Sequence, residues 1–228
     1  MQYSIGIDGP AGAGKSTVAK TVAKRLGIPY LDTGAMYRAI AVYFQQHGVA
    51  FTDTARITAL TGDADISVHY ENGEQRLFAD GVDVTALLRT EEIGRGASLV
   101  SAVPAVRDKL ASMQRAVAME RPVVMDGRDI CTNVLPDTPY KFFVTASAQE
   151  RAKRRCRQLE QNGEAADYDK ILADIVARDK QDSERAYKPL YCGADTTRID
   201  TTALTIEQAV DTILAEVATC STCSDASL

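Results

Sequence analysis

One run of eight residues, Gly9-Pro10-Ala11-Gly12-Ala13-Gly14-Lys15-Ser16, constrains this chain more than any other feature. It follows Tyr3-Ser4-Ile5-Gly6-Ile7, which has the composition of a buried strand, and it precedes Thr17–Leu26, which reads as a helix. Strand, loop and helix in that order are the setting in which G-x-x-x-x-G-K-[ST] wraps a polyphosphate. Glycines let successive backbone N–H groups converge on phosphate oxygens without a Cβ in the way. The start of the helix adds the positive end of its dipole. Lys15 is expected to reach the β- and γ-phosphates, and the Ser16 hydroxyl to ligate Mg²⁺. Gly9–Thr17 is therefore expected to bind a nucleoside triphosphate such as ATP.

The totals narrow the class. At 228 residues the chain has room for one core domain with a small insert. No apolar run approaches the ~20 residues of a membrane span, and the N-terminus lacks a signal-peptide pattern, so no membrane partner and a cytoplasmic location are expected. A net charge of −5 argues against a nucleic-acid partner. The five cysteines are scattered, as expected of reduced thiols. Cys220 and Cys223 form a C-x-x-C pair, but with no second pair it reads as an irregular tail over residues 219–228 rather than a zinc site.

The order of elements predicts an α/β fold with a five-stranded parallel sheet flanked by helices. Its strands lie at 3–7, near 28–31, and at 123–126, 141–145 and 197–200, with helices between them. One stretch breaks that alternation. Ile66–Glu71 and Glu74–Ala79 alternate in polarity, Asn72-Gly73 and Asp80-Gly81 supply turns, and Val82–Val84 returns. This predicts a small three-stranded antiparallel insert. The whole reads as one kinase-like unit: a core at about 1–31, 121–148 and 186–218, a second region with the insert at about 32–120, and a basic helical lid at about 149–170. The closing helix is expected to start at a capping box, Thr205 with Gln208.

Several segments outside the loop carry charge at positions where a ligand would sit. Asp32-Thr33-Gly34 reads as a short loop opening a helix, with Tyr37 and Arg38 one turn on. It fits either an anion site or a plain capped helix. Asp126-Gly127-Arg128-Asp129 follows a buried-type strand, and polar residues just past such a strand overlie the crevice of a parallel sheet. Arg151, Lys153, Arg154, Arg155 and Arg157 crowd one helix, and like charges so close call for an anion or for acids from elsewhere. Phosphoryl transfer needs such cations on the group in transit. No Asn-Lys-x-Asp motif supports a GTPase.

Taken together, the phosphate loop with Asp8, the Asp32–Arg38 segment, Asp126–Asp129 and the Arg178…Asp182…Arg185 helix resemble bacterial cytidylate kinases, over about residues 3–217. The resemblance implies phosphoryl transfer from ATP, with Mg²⁺, to CMP or dCMP. It implies an acceptor phosphate held by Tyr37, Arg38, Arg128 and Arg185, and cytosine read by Ser98, Arg107 and Asp129. It places Thr33, Arg178 and Asp182 near the sugar. Arg151, Arg154, Arg155 and Arg157 are expected over the ATP phosphates, and Lys15, Arg128, Arg154 and Arg185 as the catalytic cations. Small-molecule substrates and a monomer are expected. Two other readings stay open: another small-acceptor P-loop kinase, such as shikimate or dephospho-coenzyme A kinase, and an ATP-binding regulatory module with little transfer activity.

Overall fold

The structure, a computed structural model, describes residues 3–224, with side chains described to residue 219. A parallel sheet is built from Ile5–Asp8 (β1), Tyr30–Asp32 (β2), Val124–Gly127 (β6), Tyr140–Thr145 (β7) and Thr197–Asp200 (β8). Its five strands run in the order β2-β6-β1-β7-β8. In register, Ile5 lies beside Val124 and Tyr140, and Phe142 beside Thr197. Ile5, Ile7, Val124, Met125, Phe142 and Val144 are all buried, the continuous apolar pattern of strands covered on both faces. The expected fold class is the one observed.

The chain divides into two compact units, Met1–Ile28 with Pro122–Leu228, and Pro29–Arg121. In the first unit, helix α1 (Lys15–Leu26) follows the glycine-rich loop, and α6 (Ala148–Gln161) and α7 (Tyr168–Glu184) follow β7. Gly27 ends α1 in a left-handed conformation, φ 67°, returning its N–H to the last turn. The closing helix α8 (Ile206–Ser224) begins at the expected capping box: Gln208 N donates to Thr205 Oγ1 at 3.2 Å, and Thr205 N to Gln208 Oε1 at 2.9 Å. It runs on to Ser224, through residues expected to be irregular, because no Gly or Pro stops it there. The side chains of Cys220 and Cys223 lie outside the described residues.

In the second unit, the antiparallel strands β3 (Ile66–Glu71), β4 (Glu74–Ala79) and β5 (Val82–Asp83) form the expected three-stranded insert. Helix α2 (Thr33–Gln46) starts directly at the end of β2, so the short loop expected at Asp32–Gly34 is absent. Asp32 closes the strand and caps the helix at once, accepting from Ala35 N at 2.9 Å. Helices α3 (Thr54–Thr61), α4 (Glu91–Val100) and α5 (Pro104–Glu120) complete the unit; α2 packs on α4, and Met36 and Ile40 of α2 and Ile93 and Ala97 of α4 are buried. A Cβ on Gly96 of α4 would sit 2.5 Å from the Phe51 ring, so any side chain there would require that ring to move. Among the described residues, no helix is long and apolar enough to cross a membrane.

Candidate active site

The glycine-rich loop is shaped by close approach. Gly9 has φ 143°, and a Cβ on it would lie 1.9 Å from the Val144 carbonyl oxygen of β7, so no larger residue fits. Gly12 and Gly14, at φ 74° and 88°, continue the left-handed turns. Gly14 caps α1 with no side-chain bond, which leaves the first N–H groups of the helix to a ligand. Lys15 is buried, and its Nζ donates to Pro10 O at 2.7 Å. Burial, helped by the Arg128 charge, pulls the Lys15 pKa down to about 7, while Asp126, Asp8 and Asp182 oppose the shift. Ser16 Oγ donates to Asp126 Oδ2 at 2.8 Å, so a hydroxyl and a carboxylate stand together at the loop. Among the described residues there is no cluster of three or more acidic, histidine or cysteine side chains fit to cage a metal. One carboxylate and one hydroxyl, completed by phosphate oxygens and water, is a donor set that Mg²⁺ accepts.

The end of β6 carries the second group of charges. Arg128 Nε donates to Asp182 Oδ2 of α7 at 2.8 Å, and Arg185 lies 3.7 Å from Asp182 and 3.9 Å from Asp129. Arg185 Nε also donates to Lys188 O at 2.6 Å. Asp129 is buried and accepts from Asn133 Nδ2 at 3.0 Å. The backbone beyond it forms one wide turn, Ile130–Val134, whose first N–H groups are held from the neighbouring strand end. Ile130 N and Cys131 N donate to the two Asp8 carboxylate oxygens at 2.9 and 2.8 Å. Burial lifts the Asp8 pKa to about 6 against the lowering effect of those two bonds. The structure thus brings Lys15, Ser16, Arg128, Asp129, Asp182 and Arg185 together at the carboxyl ends of β1 and β6.

The basic helix does not present one uniform face. Arg151 is buried, with its fork on Asp179 of α7 and on the carbonyls of Ala11 and Ala146. It therefore lies beneath the loop rather than among the exposed lid arginines, as a run of like charges had implied. Arg154 donates to Thr201 O at 2.6 Å, and its Nη1 lies 3.9 Å from the point a Cβ on Gly14 would occupy. Arg155 and Arg157 are exposed, bonded to Gln158 and Glu150. Arg178 is exposed on α7.

In the second unit, Thr33 is buried in the first turn of α2. The Arg107 guanidinium sits 5.5 Å from the centre of the Tyr37 ring, a cation–π contact between α5 and α2. Arg107 is buried and donates to Ser101 O at 3.2 Å, while Ser101 Oγ donates back to Ser98 O, which places Arg107 at the end of α4 that bears Ser98. Arg38 is half-buried on α2.

Sequence reasoning marked Asp126 as one of two acids at a strand end and Asp8 as part of the loop motif, without a specific role for either, and it gave no role to Asp179 or Thr201, whose partners are remote in the chain.

The family model described as "Cytidylate kinase" matches residues 5–219. A cytidylate kinase from Desulfitobacterium hafniense (strain Y51) is 46% identical over 210 residues, covering 92% of this chain and 90% of that protein. One from Caldanaerobacter subterraneus subsp. tengcongensis is 47% identical over 213 residues, covering 93% of each. A crystal structure of an uncharacterised protein from Eubacterium ventriosum superposes with a TM-score of 0.54 at 15% identity, over 95% of this chain and 99% of that one, a likeness of fold alone.

Proposed function

The chain belongs to the cytidylate kinase family and carries out phosphoryl transfer from ATP to CMP or dCMP, and we propose that the residues gathered around the phosphate loop perform it. The observation that carries the assignment is the single cluster of Lys15, Ser16, Asp126, Arg128 and Arg185 around a glycine loop whose backbone leaves helix N–H groups to a ligand.

Gly9–Thr17 hold the ATP phosphates by backbone N–H groups, and Lys15 meets the β- and γ-phosphates. Entry of phosphate replaces desolvation by charge pairing, so Lys15 is fully protonated in the complex. Ser16 and Asp126 would hold Mg²⁺, which when bound neutralises charge between the phosphates. Arg128 and Arg185, with Tyr37 and Arg38, hold the acceptor phosphate through planar guanidinium forks and a phenol. That phosphate is already anionic, so transfer needs positioning and charge neutralisation and no strong general base. Asp129, Arg107 and Ser98 read cytosine: a carboxylate accepts from the N4 amine and meets repulsion from the oxygen that uracil presents. Thr33, Arg178 and Asp182 attend the sugar. Arg154, lying against the loop at Gly14, is the lid cation with the shortest path to the transferring group, and Arg155 and Arg157 follow on closure of α6. The lid at about 149–170 and the monophosphate region at about 32–120 are the parts expected to close. ATP and nucleoside monophosphates are internal metabolites, which supports a cytoplasmic enzyme of pyrimidine nucleotide metabolism, and a monomer is part of the same proposal.

The test is an acceptor panel of CMP, dCMP, UMP, AMP and GMP, read by ADP release. CMP and dCMP should turn over fastest. UMP or AMP overtaking them would strip Asp129, Arg107 and Ser98 of their base-reading roles.

A further inference from the structure

Helix α7 is fastened at two points one turn apart, and the fastenings lead to different halves of the chemistry. Asp179 accepts from Arg151 through both carboxylate oxygens, at 3.0 Å from Nη1 and 2.5 Å from Nη2. The same Nη1 donates to Ala11 O of the phosphate loop at 3.0 Å, and Arg151 Nε donates to Ala146 O at 2.9 Å. The Arg151 stem runs along Gly12, where a Cβ would stand 3.5 Å from Arg151 Cβ. Three residues on, Asp182 accepts from Arg128 at 2.8 Å and lies 3.7 Å from Arg185. Residues spaced i and i+3 share one helix face, so both carboxylates point to the same side of α7.

Arg151 differs from its neighbours in the basic run. Its side chain is 4% exposed, whereas that of Arg157 is 63% exposed. A guanidinium that deep, with donors placed on a carboxylate and on loop carbonyls, is locked in one geometry. From this we infer that Arg151 and Asp179 are positioning residues: they bolt α7 to the phosphate loop and thereby set where Asp182 holds Arg128 and Arg185. The bolt makes the seat of the acceptor phosphate depend on the shape of the donor loop, although neither residue touches the acceptor. The inference rests on Arg128 and Arg185 being the acceptor-phosphate ligands.

The experiment is initial-rate kinetics over a CMP series at saturating ATP, with thermal melting alongside. It uses wild type, Arg151→Lys, Asp179→Asn and the paired variant Arg151→Met with Asp179→Leu. Lysine keeps the charge but has no fork to serve Asp179 and Ala11 together. Arg151→Lys and Asp179→Asn should each raise the KM for CMP about ten- to hundredfold, the range for displaced binding groups. Asp179→Asn should also melt lower, because it strands a buried cation. The paired variant removes both charges, so it should recover melting temperature while its KM for CMP stays high. If melting and KM recover together, or if Arg151→Lys folds with an unchanged KM for CMP, the pair is packing only and the inference fails. Arg128→Ala is run in parallel. An unchanged KM and kcat in that variant would overturn the acceptor reading itself, whatever the bolt variants show.

Discussion

Ser16 Oγ donates a 2.8 Å hydrogen bond to Asp126 Oδ2, joining the last residue of the phosphate loop to a strand end 110 residues further along the chain. The pair offers two hard oxygen donors beside the loop that binds the triphosphate. Asp126→Asn should lower kcat by about 10²–10³, the usual loss when one group stabilising transition-state charge is removed. It should also raise the Mg²⁺ concentration needed for half-maximal rate. Rate measurements over a Mg²⁺ series check this, and an unshifted midpoint would exclude Asp126 as a metal ligand.

Arg128 donates to Asp182, and its charge acts on Lys15. Arg128→Ala should cut kcat/KM for CMP by about 10³ or more, as for other arginines on a transferring phosphoryl. Its effect on ATP binding alone should be small, which calorimetry with a non-hydrolysable ATP analogue would read.

Asp129 is buried and held by Asn133, so its carboxylate is fixed in one orientation. Asp129→Asn keeps the shape but adds an N–H donor that can meet the uracil oxygen. The ratio of kcat/KM for CMP over UMP should drop by about tenfold or more. A constant ratio with a reduced overall rate would move base recognition to Arg107 and Ser98.

Gly9→Ala places a Cβ 1.9 Å from the Val144 carbonyl oxygen, and that contact cannot be relieved by a rotamer change. Loop and β7 must separate, at a stability loss of about 2 kcal/mol or more. ATP-analogue affinity should fall with the melting temperature, whereas Gly62→Ala, where a Cβ meets nothing within 4 Å, should leave both nearly unchanged.

Asp8 provides a pH prediction. Its folded pKa, raised by burial to about 6, exceeds the ordinary value of 3.8, and Asp129, Cys131 and Lys15 are the titratable groups around it. Between these values the folded protein holds a proton that the unfolded chain has released. The Asp8 contribution therefore grows as pH falls from about 6 towards 3.8 and levels off above about 6. Urea unfolding of wild type and Asp8→Asn at pH 7.5 and pH 5 should show their stability difference shifting towards wild type at the lower pH. A shift towards the variant would mean that the two N–H bonds outweigh burial.

What the sequence determined is what short-range chemistry controls. The glycine loop between strand and helix, the Asn72-Gly73 and Asp80-Gly81 turns, the alternating strands of the insert and the Thr205–Gln208 cap each depend on residues a few positions apart, and the structure shows all of them. The charges of the site were also visible, because Arg128 and Asp129 end a buried strand. Their partners were not. Asp8 reaches Ile130 and Cys131 across 122 and 123 residues, and no local pattern encodes such a pairing. The basic run shows the same limit most clearly. Arg151, Arg154, Arg155 and Arg157 are alike as letters, and helical spacing alone does not say which of them meets an acid. Packing against α7 and the phosphate loop buries Arg151 on Asp179 and leaves Arg155 and Arg157 in solvent. Burying a guanidinium is tolerable only where a carboxylate and carbonyls already wait for it, and that condition exists only once the chain has folded.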